Sequence, residues 1–85
     1  MDNEELREKI ALIDLKIVSL VADRMQTAYE IGRNKKTAGI PIHDGDVEKT
    51  VISRYRRAAA EEDLDEDSAE ELAKLLISWS CRIQE

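Results

Sequence analysis

The chain has few of the residues that disulfide-bonded, metal-binding or β-rich proteins rely on. Among its 85 residues there are no phenylalanines, one tryptophan, two tyrosines, one histidine, one cysteine, one proline and three glycines. A single cysteine excludes an internal disulfide, and one histidine among scattered acids shows no metal-ligand spacing. This scarcity, beside abundant alanine, leucine, isoleucine, glutamate, lysine and arginine, predicts an all-α protein folded as one domain over residues 1–85.

The charge is uneven along the chain, although the net charge is −6. Residues 61–71 hold eight acids and no base, whereas residues 1–60 hold eleven bases and ten acids. We expect the acidic stretch to form a solvated loop and the start of a helix. Because no basic stripe with interleaved aromatic residues is present, nucleic acid is not an expected partner.

No segment of the sequence indicates export or membrane insertion. The first five residues, Met1 to Glu5, are too acidic for a signal peptide, and no apolar run approaches the length that spans a bilayer. We therefore expect a cytoplasmic protein with no membrane partner.

Apolar residues in the first third of the chain alternate at steps of four and three, which is the seam of a packed or supercoiled helix. The seam consists of Leu6, Ile10, Ile13, Ile17 and Leu20. It predicts a helix from about residue 3 or 4 to about Lys36, roughly 50 Å long. A helix of this length in so short a chain indicates a coiled coil or a partner chain, so we expect an intertwined homodimer.

Two further helices are predicted after a loop at Thr37–Pro41. The second begins near Asp44 and fades between Glu61 and Asp65. Its apolar edge consists of Val47, Val51, Tyr55 and Ala58. A capping box formed by Ser68 and Glu71 predicts the start of the third helix. The seam of that helix consists of Leu72, Leu76, Trp79 and Ile83, with Trp79 as a core anchor.

Arg24 occupies the next position of the first seam, where a leucine would be expected; Thr27 and Ile31 follow it. Burying an unpaired guanidinium costs several kcal/mol, so an anionic partner is expected, either a carboxylate of the protein or a ligand. Lys35 lies eleven residues later on nearly the same face, about 16 Å away, so both side chains can reach a small anion between them. Spacing alone is equally compatible with two cations that extend to solvent.

Arg7 lies seventeen residues before Arg24, about 25 Å away along the helix, which is too far to share a small ligand. If two first helices pack antiparallel about a two-fold axis near Ile17, the partner subunit's Arg7 falls opposite Thr27, between Arg24 and Lys35. Without such a dimer, Arg7 is a plain surface residue.

Polar pairs four residues apart occur on both later helices. Asp44 and Glu48 lie at the start of helix two, where the helix dipole favours acids, so a plain solvated role is also possible. Ser80 and Gln84 lie beside the seam of helix three. The sequence has no glycine-rich phosphate loop and no nucleophile with a general base. An enzyme built from these residues would hold a small anion among cations and hydrogen-bond donors, without a metal or cofactor.

These residues together resemble a known family. The segment from Leu6 to Asp14, the Ala22-Asp23-Arg24 triplet, Lys35, the Ile40–Asp44 turn, Glu48, and Ser80 with Gln84 are similar to the all-helical chorismate mutases over almost the whole chain. The resemblance implies an intertwined dimer of three-helix chains with two equivalent active sites. It also implies the Claisen rearrangement of chorismate to prephenate, the committed step towards phenylalanine and tyrosine.

The resemblance further implies a role for each site residue. Arg24 and the partner subunit's Arg7 would bind the two substrate carboxylates, with Ser80 assisting at one of them. Lys35 and Gln84 would donate hydrogen bonds to the ether oxygen. Asp44 and Glu48 would orient the ring hydroxyl. Such a reaction needs a folded substrate conformer and positive charge at the breaking C–O bond, and no cofactor.

One position departs from the family pattern, and two other functions stay open. Val47 stands where family members carry an arginine, which implies weaker substrate binding. An isochorismate pyruvate lyase shares the fold, and Trp79 after Ile77-Ser78 is weakly similar to it, although Asp44 and Glu48 favour the mutase. A catalytically silent dimerisation or effector-binding module is the other alternative.

Overall fold

The computed structural model describes residues 1–85 as three α-helices joined by two short loops. The helices are α1 (Asn3–Ala38), α2 (Gly45–Glu61) and α3 (Glu66–Gln84). The predictions of an all-α fold, three helices and a long first helix are confirmed. No helix combines the length and the apolar character that crossing a membrane requires.

Local signals fix both ends of α1. The Asp2 side chain accepts a hydrogen bond from the Glu5 amide at 2.9 Å and caps the first turn. Gly39 adopts a left-handed conformation at φ 72°, which glycine tolerates because it has no Cβ. The Ile40 amide then donates to the Lys35 carbonyl at 2.8 Å, which completes a Schellman motif. The helix therefore ends two residues after the predicted Lys36, and the chain turns sharply.

The connection between α2 and α3 repeats this motif with a different residue. Asp63 takes the left-handed position at φ 55°, and the Leu64 amide donates to the Ala59 carbonyl at 2.8 Å. Aspartate is one of the few non-glycine residues that adopts this conformation readily. Arg56 then joins the two helices through hydrogen bonds to Asp67 at 3.0 Å and Glu70 at 3.1 Å. The acidic stretch thus forms a turn and a helix start, as predicted.

The predicted capping box at Ser68 is wrong, because α3 begins at Glu66, with Asp65 as its N-cap. The Asp65 carboxylate accepts from the Ser68 amide at 2.9 Å and from the Ser68 hydroxyl at 2.6 Å. These two hydrogen bonds hold the pKa of Asp65 below its usual value. Aspartate is as good an N-cap as serine and comes first along the chain, so it sets the start of the helix.

The third helix packs against both other helices, whereas α1 and α2 do not pack on each other. Its buried face consists of Ala73, Leu76, Ser80 and Gln84, and the buried residues of α1 are Met25, Ala28 and Gly32. The predicted seam of helix three shares only Leu76 with this buried face. Trp79 is 41% exposed in the chain, so its predicted role as a core anchor is wrong within the chain.

The first half of α1 has no intrachain cover. Every residue from 1 to 20 is exposed. The exposed fraction of the seam residues of α1 ranges from 41% at Leu6 to 67% at Leu20. The chain exposes 6744 Å², whereas a compact protein of this mass would expose about 5,100 Å². The chain therefore exposes about 1,600 Å² more than a compact monomer. The exposed apolar seam of α1 is the kind of surface that marks a protein interface.

Replacing Asp65 by alanine is expected to lower the Tm near neutral pH, because the Ser68 amide loses its acceptor. Since the pKa of Asp65 is lower in the folded than in the unfolded state, the stabilisation is fully present above the unfolded pKa. It is lost as the pH falls through the folded pKa. Thermal unfolding followed by circular dichroism at about pH 7 and about pH 2 measures both regimes.

The matched control for this substitution is Ser68→Ala, which keeps the backbone amide that Asp65 binds and is expected to lower the Tm less. The carboxylate would not act as the cap if both variants lowered the Tm equally near neutral pH. The same would follow if Asp65→Ala still had a lower Tm than the wild type in acid.

Candidate active site

One cavity of about 550 Å³ opens between the second half of α1, the first half of α2 and the second half of α3. Ligand pockets for small molecules have volumes in this range. Six of the seven predicted site residues line the cavity: Arg24, Lys35, Asp44, Glu48, Ser80 and Gln84. The structure therefore brings together residues that are separated by up to sixty positions in sequence.

Arg24 enters the cavity from α1 as a half-buried cation without a counter-ion. Its Nη1 donates to the Ser80 hydroxyl and, at 3.4 Å, to the Leu76 carbonyl, and no carboxylate forms an ion pair with it. Ser80 is buried, and its own hydroxyl donates to the Leu76 carbonyl at 2.8 Å. Because a guanidinium carries five N–H groups, most of its donors remain available to an anion in the cavity.

Lys35 lies eleven residues after Arg24 on α1. It stands at the end of the cavity that the loop before α2 forms. Its ammonium donates to the Ile42 carbonyl at 3.1 Å and keeps two N–H donors free. Asp44 caps α2, with Oδ1 accepting from the amides of Asp46 at 3.0 Å and Val47 at 3.2 Å. The structural role anticipated for Asp44 is therefore present, and its second oxygen is left for another partner.

Gln84 occupies the last turn of α3 and is buried, with 9% of its surface exposed. Its Oε1 is buried and has no hydrogen-bond partner within the chain. An unsatisfied buried polar group costs about 1–3 kcal/mol, so a ligand that satisfies the amide recovers free energy on binding.

Gly32 makes this position of Gln84 possible. A Cβ at Gly32 would lie 2.6 Å from the Gln84 Cγ and 2.8 Å from its Cβ, so any larger residue would separate α1 from α3. Sequence reasoning did not identify Gly32. The available signal was a glycine inside a helix, which costs about 1 kcal/mol relative to alanine and indicates a packing requirement.

The cavity also contains charged residues that the sequence analysis did not select. Arg54 and Asp23 line it, so its walls carry three cations and three acids in total. Val47 lines it as well, and Arg54 follows Val47 by seven residues on the same face of α2. The second helix therefore contributes a cation two turns beyond the position at which the family carries an arginine. The seven-residue spacing was the signal that could have identified it.

Arg7 is the one predicted site residue outside the cavity. It lies on the exposed first half of α1, about 25 Å from Arg24 along the helix axis. No movement of a side chain can bring it to the cavity of its own chain.

Three potential metal ligands meet at one edge of the cavity, which the sequence analysis did not predict. The ligand atoms of His43, Glu48 and Cys81 all lie within 4.8 Å of one another. Burial, followed by the nearby carboxylates of Glu48 and Glu85, raises the pKa of the Cys81 thiol. These residues come from a loop, α2 and α3, so their linear spacing carries no metal-binding signature.

Replacing Gly32 by alanine is expected to impair the site and to destabilise the fold by about 1–3 kcal/mol, because the new methyl group overlaps the Gln84 side chain. Gly45→Ala is the matched control, since a Cβ at Gly45 meets nothing within 4 Å. Denaturant unfolding and ligand affinity measure the two effects. If Gly32→Ala were as stable as Gly45→Ala, the close contact between α1 and α3 would not be a constraint.

Comparison with known proteins shows the family to which the chain belongs. The family model described as chorismate mutase type II matches residues 6–85. A chorismate mutase of Methanocaldococcus jannaschii is 35% identical over 80 residues, which cover 94% of this chain and 81% of the relative. The bifunctional chorismate mutase/prephenate dehydratase of Escherichia coli K12 is 32% identical over 80 residues, which cover 94% of this chain and 21% of that protein. On these matches, the chain belongs to the chorismate mutase type II family.

Proposed function

We propose that the protein is a homodimeric chorismate mutase whose active site is the cavity between the three helices. The family and the 35% identical relative support the rearrangement of chorismate to prephenate, a step of aromatic amino acid biosynthesis. The observation that carries the assignment of the site is Arg24, a half-buried cation without a counter-ion that shares one cavity with Lys35.

The electrostatics of the cavity suit the proposed reaction. Chorismate carries carboxylates, and the free N–H groups of Arg24 can bind one of them in a bidentate manner. As the ether C–O bond breaks, negative charge develops on the oxygen, and the ammonium of Lys35 stabilises that charge. Because the Ile42 carbonyl already holds Lys35 in place, little reorganisation is needed during the reaction.

The uncharged and acidic residues complete the proposed binding of substrate. Gln84 donates its amide N–H to the same ether oxygen, and its buried Oε1 stays free to accept from a donor group in an occupied site. Glu48 and the free oxygen of Asp44 face the ring hydroxyl, and one of them accepts its hydrogen bond. Ser80 acts through Arg24, whose guanidinium it holds by a hydrogen bond. These contacts favour a compact substrate conformer, in which the two reacting carbons are close.

The second subunit is needed to cover α1 and to complete the cation set. The chain exposes about 1,600 Å² more than a compact monomer, which leaves room for the roughly 800 Å² per partner of a standard protein interface. In an antiparallel dimer centred near Ile17, Arg7 of the partner subunit reaches the open side of the cavity beside Thr27. It would bind the second carboxylate there. Each site then contains residues of both chains.

Because Val47 stands where the family pattern has an arginine, the cavity has one cation fewer than that pattern implies. Arg54 is the one cation of α2 that lines the cavity, and it lies too far along the helix to take over the position of Val47. We therefore expect a raised KM more than a lowered kcat, because the donors to the ether oxygen are unchanged.

A chorismate depletion assay on the purified protein, with the product identified, tests the function. Prephenate is the expected product. Release of pyruvate from isochorismate, with chorismate left unchanged, would indicate the lyase instead. Binding of chorismate without any turnover would indicate the silent effector-binding module.

Lys35→Ala is expected to lower kcat about a hundred- to a thousandfold, the effect of removing one preorganised donor. Lys49→Ala is the matched control, because Lys49 is exposed on α2 and does not line the cavity. Steady-state kinetics and circular dichroism distinguish lost chemistry from lost fold. A folded Lys35→Ala variant with near-normal kcat would remove Lys35 from the proposed role.

Complementation tests the contribution of Arg7 from the partner chain. Arg7→Ala and Arg24→Ala are each expected to be inactive as homodimers. After mixed refolding at equal amounts, half of the dimers are mixed, and each of these has one intact site. About one quarter of wild-type activity should return. If Arg7 acted within its own chain, every site would lack one arginine and no activity would return.

A further inference from the structure

Four side chains form a group that we name the rim cluster: His43, Glu48, Cys81 and Glu85. The Cys81 Sγ lies 3.9 Å from the Glu48 Oε1, and the His43 Nε2 lies 3.3 Å from the Glu85 Oε1. The group lies where the loop before α2 meets the end of α3. Glu48 and Cys81 line the substrate cavity as well, so the cluster shares a wall with it.

We propose that the rim cluster binds a borderline-soft divalent cation of the Zn²⁺ type, and that occupancy withdraws Glu48 from the substrate cavity. His43, Glu48 and Cys81 supply three ligands. Glu85, whose carboxylate lies beside His43, supplies the fourth by turning towards the other two. Imidazole nitrogen, thiolate sulfur and carboxylate oxygen are the donors that Zn²⁺ takes in a tetrahedral site.

The separations of the donor atoms fit such a site after a small closure. Bonds of about 2.0–2.3 Å in tetrahedral geometry place neighbouring ligand atoms about 3.3–3.8 Å apart. The 3.3 Å separation lies at the lower end of this range, and the 3.9 Å separation lies just above its upper end. The widest separation among His43, Glu48 and Cys81 is at most 4.8 Å, so closure by about 1 Å is required. His43 lies on an exposed loop and can move by this amount.

None of the basic side chains around the cluster pairs with the carboxylate of Glu48 or Glu85. Lys36, beside the end of the chain, donates to the Glu85 backbone carbonyl at 3.0 Å. The Arg82 guanidinium donates to the Ser78 hydroxyl at 3.0 Å, and the Lys74 ammonium pairs with Glu70 at 3.0 Å. Lys35 donates to the Ile42 carbonyl on the cavity side. No ammonium or guanidinium therefore forms an ion pair with Glu48, which leaves its carboxylate to a cation.

The second part of the proposal rests on the proposed function. A cation bound at the rim neutralises the Glu48 carboxylate and turns it away from the cavity, so neither of its oxygens remains a good acceptor for a substrate hydroxyl. Metal and chorismate then compete through one carboxylate, and the metal acts as an inhibitor. Metal binding can be measured without turnover. The experiment can therefore reject the metal site and its effect on substrate binding independently of each other.

Co²⁺ titration of the untagged protein, kept reduced with a phosphine, tests the site directly. A thiolate-to-cobalt charge-transfer band and intense visible bands of four-coordinate Co²⁺ are expected at one equivalent per chain, and Zn²⁺ should abolish them. Cys81→Ser should remove the charge-transfer band, and His43→Asn should weaken binding at least about tenfold. Glu71→Gln, an exposed carboxylate outside the cluster, is the control and should bind normally.

Absence of the charge-transfer band in wild-type protein, or Co²⁺ binding unaffected by both ligand variants, would overturn the site. In the kinetic arm, a Zn²⁺ concentration that occupies the wild-type site but not that of His43→Asn is expected to lower kcat/KM with chorismate at least tenfold in the wild type and to leave the variant unchanged. Tight Zn²⁺ binding with an unchanged kcat/KM would overturn the coupling to Glu48.

Discussion

The mismatch in length between α1 and the other two helices determines the rest of the structure. A helix of 36 residues extends about 54 Å, whereas helices of 17 and 19 residues extend about 26 and 29 Å. Neither of the shorter helices can therefore cover more than about one half of α1. The third helix covers the second half, where Met25, Ala28 and Gly32 are buried. The cavity lies there, and the apolar first half is left bare.

Two polar side chains with unused hydrogen-bonding groups line the cavity. Arg24 has donors without an anion, and Gln84 has a buried amide oxygen without a donor. Both are held in place by neighbours, Arg24 by Ser80 and Gln84 by its contact with Gly32. Their orientation is therefore set before a ligand arrives. A protein that catalyses a unimolecular rearrangement by electrostatic stabilisation needs this kind of rigid, unsatisfied site, because it supplies no covalent chemistry.

Most of the fold could be predicted from the sequence, because helical periodicity and the Gly39-Ile40-Pro41 break are local signals. Six of the site residues were also predicted to act together, largely through the family resemblance. The errors arose where two local signals compete, as at Asp65 and Ser68, or where a seam can face either its own chain or another, as at Trp79. Contacts between distant segments, such as Gly32 with Gln84 or His43 with Cys81, have no counterpart in linear spacing.

Because α1 and α2 do not pack on each other, α3 acts as a spacer between them. The two helices that carry most of the charged residues are held apart by the thickness of α3 and by the short loop after Gly39. The α3 residues that line the cavity, Ile77, Ser80, Cys81 and Gln84, carry no formal charge, whereas its charged residues come from α1, α2 and the N-cap of α2. Side chains of α3 can therefore change the dimensions of the pocket during evolution while its charges remain fixed.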